Sequence, residues 1–157
     1  MIISIDVGIK NMGVCIFTKS KEIYKWILLD LTEGQNSKTM SMIDIAKSLK
    51  NELDELLDEI ELTEVIIENQ LGLNAIRMKQ VQALLTQYFI NNNIENITYV
   101  SSQNKLKGYG RMKYSERKKK VVKICEDTLE GEWYDFFKSL NKTKRDDYAD
   151  CYLQAHF

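Results

Sequence analysis

The sequence of 157 residues contains no proline, a single histidine and three cysteines. Without proline, glycine and asparagine are left as the residues that mark turns. One histidine and three cysteines at unrelated spacings argue against a zinc site, and an odd number of cysteines predicts reduced thiols in an intracellular compartment. No apolar run approaches the roughly 20 residues of a membrane span, and the N-terminus lacks a signal-peptide pattern, so we expect no membrane association.

The chain also lacks a strong net charge, because 22 Lys and Arg nearly balance 23 Asp and Glu. The charges are unevenly distributed, since residues 104–145 hold 13 basic and 6 acidic side chains, a net charge of +7. Such a basic block predicts a surface for a polyanion, with a solvated helix face as the alternative. The composition, 44% hydrophobic and 29% charged, is that of an ordinary globular protein, and the length predicts one domain over 1–157.

Short apolar runs predict five strands. The runs cover 1–6, 12–17, 22–31, 65–68 and 97–100. A turn containing glycine and asparagine joins the first two runs into a hairpin, and the third run extends it into an antiparallel meander. The last two runs alternate with helical segments, which is typical of parallel strands. We therefore expect an α/β fold with a mixed sheet and helices on both faces.

Apolar residues at three- and four-residue spacing predict helices over 41–62 and 75–92. The basic stretch 101–113 is expected to form a loop, and Ser115 is the expected N-cap of the next helix. Further helices are predicted over 115–129, 133–140 and 146–157. His156, the single histidine, is expected to have a surface or packing role rather than to act in catalysis.

Two acids stand at the ends of apolar strands. Asp6 ends the first strand, and Glu68 ends the fourth. A buried carboxylate is costly unless it is hydrogen-bonded, paired or bound to a metal ion. Because the carboxyl ends of parallel strands gather at one edge of a sheet, we expect Asp6 and Glu68 to meet there. The alternative for Asp6 is a turn cap, and Gly8 and Gly13 beside it are weak evidence for a phosphate-binding turn.

Two further acids, Asp147 and Asp150, are three positions apart on the predicted last helix, so their carboxylates share one face. They lie near its N-terminus, where the helix dipole favours anions, and Asp146 is expected to cap the helix. Four acids without a histidine or cysteine cluster suit Mg²⁺, with Mn²⁺ as a substitute. Two such ions, roughly 3.5–4 Å apart, would clamp the attacking and leaving oxygens of a phosphodiester.

The basic block supplies candidate contacts to a nucleic acid. Its cations would neutralise phosphates without reading the base sequence, and its tyrosines would stack on bases or else anchor the loop. Lys105 and Lys107 lie nearest to the end of the fifth strand and are candidates for stabilising charge in the transition state. The predicted DNA-binding residues are Lys105, Lys107, Tyr109, Arg111, Lys113, Tyr114, Arg117, Lys118, Lys119 and Lys120.

Three acidic motifs resemble those of RuvC-type resolvases in the ribonuclease H-like superfamily. Residues 5–13 read IDVGIKNMG and resemble the first motif, residues 66–70 read IIENQ and resemble the second, and residues 144–150 read KRDDYAD and resemble the last. The stretch 68–90 is especially similar to the poxvirus Holliday junction resolvases, and the fungal mitochondrial resolvases are more distantly similar. The resemblance covers nearly the whole chain.

The resemblance implies a five-stranded sheet of order 3-2-1-4-5 and a homodimer that cuts four-way DNA junctions symmetrically. It implies two Mg²⁺ ions per site, no small-molecule cofactor, and a dimer helix over 75–92. Viral replication and recombination intermediates as substrates would place the protein in the host cytoplasm. The implied catalytic residues are the metal ligands Asp6, Glu68, Asp147 and Asp150, with Lys105 or Lys107 as their basic partner.

Three alternatives remain beside this interpretation. An actin-like ATPase shares an Asp-Gly turn but needs two such domains and a second phosphate loop. A ribonuclease acting on RNA–DNA hybrids or structured RNA usually carries its glutamate on a helix, whereas Glu68 ends a strand. A non-catalytic junction-binding module would place four acids beside DNA, where they would repel phosphate unless a metal ion intervened.

Overall fold

The structure is a computed structural model that describes residues 1–72, 75–102 and 112–156. Its centre is a sheet with strand order β3-β2-β1-β4-β5. The β1–β2 and β2–β3 pairs are antiparallel, whereas β1–β4 and β4–β5 are parallel. The predicted mixed sheet and its order are therefore confirmed. The strands are β1 Ile2–Asp6, β2 Met12–Phe17, β3 Ile23–Leu29, β4 Glu64–Glu68 and β5 Ile97–Val100.

Helices cover both faces of this sheet, as predicted. The first helix ends at Leu56, although the apolar spacing predicted that it would continue to residue 62. The chain leaves the helix through Glu59, whose φ is 60°, and the left-handed conformation at that residue cannot continue a right-handed helix. The helices are α1 Met42–Leu56, α2 Ile76–Asn91, α3 Tyr114–Thr128, α4 Gly131–Ser139 and α5 Arg145–Gln154.

The starts of α3 and α5 differ from the predictions. Lys113 rather than Ser115 is the N-cap of α3, because the Glu116 carboxylate accepts the backbone N–H of Lys113 at 2.9 Å. Asp146 does not cap α5, which begins at Arg145. The Asp146 carboxylate instead forms an ion pair with Lys118 of α3.

The two faces of the sheet hold separate apolar cores. Alternate residues of β1, such as Ile3 and Ile5, pack with α1 and α2. Side chains of β2 and β3 on the other face, Cys15 and Trp26 among them, pack with α3, α4 and α5. His156 packs between aromatic rings, with its centroid 4.7 Å from that of Tyr152, so its predicted packing role is confirmed. Among the residues described, no helix is long and apolar enough to cross a membrane.

Candidate active site

Asp6 and Glu68 lie side by side at the carboxyl edge of the parallel strands. The register of β1 with β4 pairs Ile5 with Ile67, so Asp6 and Glu68 are the next residues on the two strands. Ile5 and Ile67 face α1 and α2. Because successive side chains of a strand point to opposite faces of the sheet, both acids face the other side, where α5 packs. The two carboxylates line the same cavity, so the prediction that they meet is confirmed.

Gly13 brings α5 to the same edge. It is the partner of Asp6 across the β1–β2 pair and lies on the face of the sheet that α5 covers. A Cβ added at Gly13 would be 2.6 Å from the backbone oxygen of Asp147 and 3.1 Å from the sulfur of Cys151. The helix therefore packs directly on the backbone of β2, an approach that only glycine permits. Close packing of α5 is therefore a sufficient reason for a glycine at position 13.

The four predicted acids surround one cavity of about 240 Å³. They come from β1, β4 and α5, so the cavity lies where these three elements meet, with α3 beside them. Three predicted DNA-binding residues of α3 lie at the same cavity, which places cations beside the acids. The lining residues are Asp6, Glu68, Ser102, Tyr114, Arg117, Lys118, Val121, Asp147 and Asp150.

The carboxylates are close enough to influence one another. Burial raises the pKa of the Asp147 carboxyl, and the charges of Asp146 and Asp150 add to that rise. Lys118 and Lys144 act in the opposite direction. The raised pKa means that burial, and then the neighbouring negative charges, destabilise the ionised Asp147 carboxylate, a cost that a bound cation would offset.

The chemistry of the cavity fits a hard divalent cation. Its four carboxylates offer only oxygen donors, which Mg²⁺ and Mn²⁺ prefer. Gln70 holds the Glu68 carboxylate from outside, because its Nε2 donates to Oε2 at 2.8 Å. Within 1–72, 75–102 and 112–156, no three acidic, histidine or cysteine side chains form a group that could hold a metal ion. The four acids line one cavity, and ligation of one ion would require at least three of their carboxylates to come closer together.

Lys118 has a partner that sequence reasoning missed. Its ammonium group is paired with Asp146 and lies 5.3 Å from the ring centroid of Tyr114. The hydrogen bond to Asp146 is the largest cause that raises the pKa of Lys118. Lys118 and Asp146 are 28 residues apart in the sequence, so no local sequence pattern predicts the pair. The pair ties α3 to α5 beside the cavity.

The remaining predicted contacts fall into two groups. Lys113 and Lys119 are exposed on α3, and Lys120 is half-buried; none of the three lines the cavity. The other group lies outside the described residues, so its roles stay predictions. That group is Lys105, Lys107, Tyr109 and Arg111.

The sequence from residue 1 to residue 155 matches the family model described as Poxvirus A22 protein. The chain belongs to this family. The predicted relationship to poxvirus proteins is thereby confirmed. No curated protein sequence gives a significant match.

Three solved structures share the fold of this family member. The fowlpox virus resolvase, in complex with substrate Holliday junction DNA, is 18% identical with a TM-score of 0.65, over 99% of this chain and 98% of that one. The yeast mitochondrial Holliday junction resolvase Ydc2 is 20% identical with a TM-score of 0.64, over 98% and 76%. RuvC of Thermus thermophilus, in complex with a Holliday junction substrate, is 14% identical with a TM-score of 0.63, over 99% and 92%. The predicted RuvC-like, ribonuclease H-like fold is confirmed.

Proposed function

We propose that this protein is a structure-selective DNA endonuclease that resolves four-way junctions by symmetric paired incision. The observation that carries the proposal is the convergence of four carboxylates from β1, β4 and α5 on one cavity, beside the cations of α3. Solved structures with the same fold are described as Holliday junction resolvases, two of them bound to junction DNA. In this proposal the nuclease domain spans residues 1–157 and acts in the host cytoplasm on viral replication intermediates.

The acids are the metal ligands in this proposal, with two Mg²⁺ ions per site and Mn²⁺ as a substitute. The ions, when bound, supply a nucleophile at neutral pH and neutralise charge that develops on the leaving oxygen. The strands carry Asp6 and Glu68 at adjacent positions, and the first turns of α5 carry the other two acids at the same cavity. The proposed ligands are Asp6, Glu68, Asp147 and Asp150.

The first turns of α3 provide the DNA contacts nearest to the acids. Arg117 and Lys118 line the cavity and would bind the phosphate that is cut. Tyr114 is 71% exposed at the cavity and is placed to stack on a neighbouring base. Lys113, Lys119 and Lys120 would bind flanking phosphates. The predicted loop residues complete this surface, with Lys105 or Lys107 stabilising charge in the transition state.

Paired incision needs two active sites, and α2 offers a surface for a second copy of the chain. Ile76 and Ile90, on the outward face of α2, are 66% and 51% exposed, and Ala83 lies between them on the same face. Exposed apolar residues on one helix face are typical of an interface. This is the helix that the family resemblance assigns to the homodimer.

The deciding experiment incubates the purified protein with labelled four-way, Y-shaped and linear DNA, and with an RNA–DNA hybrid, in Mg²⁺. We expect paired nicks at symmetric positions on two opposed strands of the four-way junction. Cleavage of the hybrid alone would instead assign the protein to the ribonucleases.

The metal ligands are tested by four single substitutions: Asp6→Asn, Glu68→Gln, Asp147→Asn and Asp150→Asn. Each is expected to lower cleavage by at least about 100-fold while junction binding persists, because the charge that holds the ions is lost and the basic surface is not. The matched controls are Glu55→Gln, at an exposed position near the end of α1, and Asp58→Asn, at an exposed position just after it. Full activity in any two of the four variants would contradict the two-metal site.

A further inference from the structure

Gln154 is a buried polar residue on α5 that the proposed mechanism does not use. Only 1% of its surface is exposed. Its side-chain Nε2 donates to the backbone oxygen of Ile5 at 3.1 Å and to that of Ile66 at 3.3 Å. Ile5 directly precedes Asp6, and Ile66 lies two residues before Glu68. One amide group therefore joins the three elements that carry the four acids.

Stability alone is a poor explanation for this glutamine. Its Oε1 has no hydrogen-bond partner within the described part of the chain. The same is true of the hydroxyl of Ser4, which lies on the face of β1 that packs against α5. Leaving a buried polar atom unpaired costs about 1–3 kcal/mol, whereas an apolar side chain of similar shape avoids the cost. Nearby positions of α5 are apolar, including Ala149 and Leu153. A polar residue at this position therefore indicates a task that an apolar one cannot perform.

The position of the two accepting carbonyls indicates that task. The register of β1 with β4 ends at Ile5 and Ile67, so Asp6 and Glu68 extend from the last paired residues. Each backbone carbonyl has two lone pairs, and the Gln154 amide group has two N–H donors, one for each strand. The two hydrogen bonds bridge β1 and β4 just before the acids and add to the ladder that pairs the two strands.

The same side chain also fixes α5 relative to the strands. Gln154 is four residues beyond Asp150, so both lie on one face of the helix. A shift of α5 along the sheet would carry Asp150 away from Asp6 and would break both hydrogen bonds of Gln154. The amide therefore couples the position of the helix to the spacing of the strands.

We propose that Gln154 is a positioning residue that holds β1, β4 and α5 at the spacing needed for their acids to bind divalent metal ions. The inference rests on the proposed function in one respect, that these acids are the metal ligands. Gln154 itself touches neither the metal ions nor the DNA. Its effect on the acids comes from the positions in which it holds the two strands and α5.

The test replaces the amide by a side chain of similar length without donors, Gln154→Met, and by a shorter amide, Gln154→Asn. Binding of Mn²⁺ to the protein without DNA is measured by electron paramagnetic resonance or calorimetry. Loss of a residue that orients metal ligands typically weakens metal binding about 10–100-fold, and we expect a loss in this range for both variants. The control is Ser48→Ala on α1, whose buried hydroxyl has no hydrogen-bond partner among the described residues, and this variant is expected to bind Mn²⁺ like the wild type.

A second readout separates positioning from folding. Cleavage of prebound junction should slow by a similar factor at a fixed Mg²⁺ concentration and recover partly at higher concentrations, while the Kd for junction DNA stays unchanged. Folded variants whose Mn²⁺ affinity lies within about twofold of the wild type would overturn the role of Gln154 alone. Failure of both variants to fold would also overturn it, because the amide would then serve the fold. A wild-type protein that binds no Mn²⁺ would overturn the proposed metal site itself.

Discussion

At the scale of single residues, the candidate site depends on small and uncharged side chains as much as on its acids. Gly13 lets α5 lie against the backbone of β2, and Gln154 ties that helix to the strands that end in Asp6 and Glu68. Apolar runs ending in an acid pointed to Asp6 and Glu68 in the sequence. Gly13 and Gln154 have no such local pattern, because their roles depend on residues more than 80 positions away.

Substitution of Gly13 by alanine tests the close packing of α5. The added methyl group would lie 2.6 Å from a backbone oxygen of α5, so the helix must shift and carry Asp147 and Asp150 with it. We expect a free energy of unfolding lower by about 1–3 kcal/mol, and at least about a tenfold loss of cleavage. Urea denaturation and junction cleavage are the measurements.

Gly34→Ala is the control for Gly13→Ala. Gly34 has φ 81°, so alanine is strained there by about 1 kcal/mol, but its added methyl group would meet no described residue within 4 Å. This variant should lose stability and keep its cleavage rate. Equal cleavage by the Gly13 and Gly34 variants would show that α5 does not depend on Gly13 for its position.

The pH dependence of stability tests the electrostatics of Asp147. Burial and the neighbouring acids raise its pKa above the ordinary value of 3.8, so the folded chain holds this proton more tightly than the unfolded chain. The stability that the protonated Asp147 carboxyl contributes is therefore present at low pH, and it is lost as the pH rises through the folded-state pKa. In metal-free buffer, Asp147→Asn should therefore be more stable than the wild type at pH 7, with less loss of stability from about pH 4 upward. Parallel stability profiles of the two proteins would contradict this account.

At the scale of elements, α5 and α3 divide the work of the site. The first turns of α5 carry two of the acids, and α3 lines the cavity with cations. The pair between Lys118 and Asp146 joins the two helices. Helical periodicity predicted both helices but not their N-caps. Lys113 is the N-cap of α3 because its backbone N–H donates to Glu116, and Asp146 forms an ion pair with Lys118 instead of capping α5.

Reversal of charge on α3 tests whether its cations bind phosphate. The triple variant Arg117→Glu, Lys119→Glu and Lys120→Glu removes up to three phosphate contacts. Each lost contact should reduce the magnitude of the slope of log affinity against log salt concentration by about 0.9. The variant should also bind junction DNA more weakly at low salt. The control reverses the charges of three lysines in the opposite helix layer: Lys38, just before α1, and Lys47 and Lys50 on α1. An unchanged salt slope in the α3 variant would make this helix a solvated face.

At the scale of the whole molecule, the sheet separates two layers with different tasks. The layer of α3, α4 and α5 carries the site, while the layer of α1 and α2 presents exposed isoleucines. Because the site lies at the carboxyl edge of the sheet and on the other face, the outer face of α2 is free of it, and this is the face that we propose for a second copy of the chain. In the proposed function, one layer would therefore carry cleavage and the other the pairing of two sites.

Light scattering tests this division. We expect a dimer, and we expect the double variant Ile76→Lys with Ile90→Lys to be a monomer, because two charges would be buried at the interface. The monomer should nick junctions without pairing the incisions. Ile43→Lys is the matched control, since Ile43 is 69% exposed on α1 and should leave the dimer intact. A wild-type protein that is strictly monomeric would contradict paired incision by two copies.

The sequence by itself determined the elements and the four acids, because both depend on local patterns. Strand and helix periods place Asp6 and Glu68 at strand ends and put Asp147 with Asp150 on one helix face. The family resemblance supplied the strand order, which the fold confirms. The sequence erred at the end of α1 and at the N-caps of α3 and α5, where single hydrogen bonds or one backbone angle decide a boundary.

Only the tertiary structure decided how the acids come to share a cavity. The contact of Gly13 with α5, the ion pair of Lys118 with Asp146 and the two hydrogen bonds of Gln154 all join residues far apart in the chain. Their residue types are common and carry no periodic signal. A glycine or a glutamine becomes part of such a site only when packing brings a particular backbone against it, and that packing is a property of the whole fold.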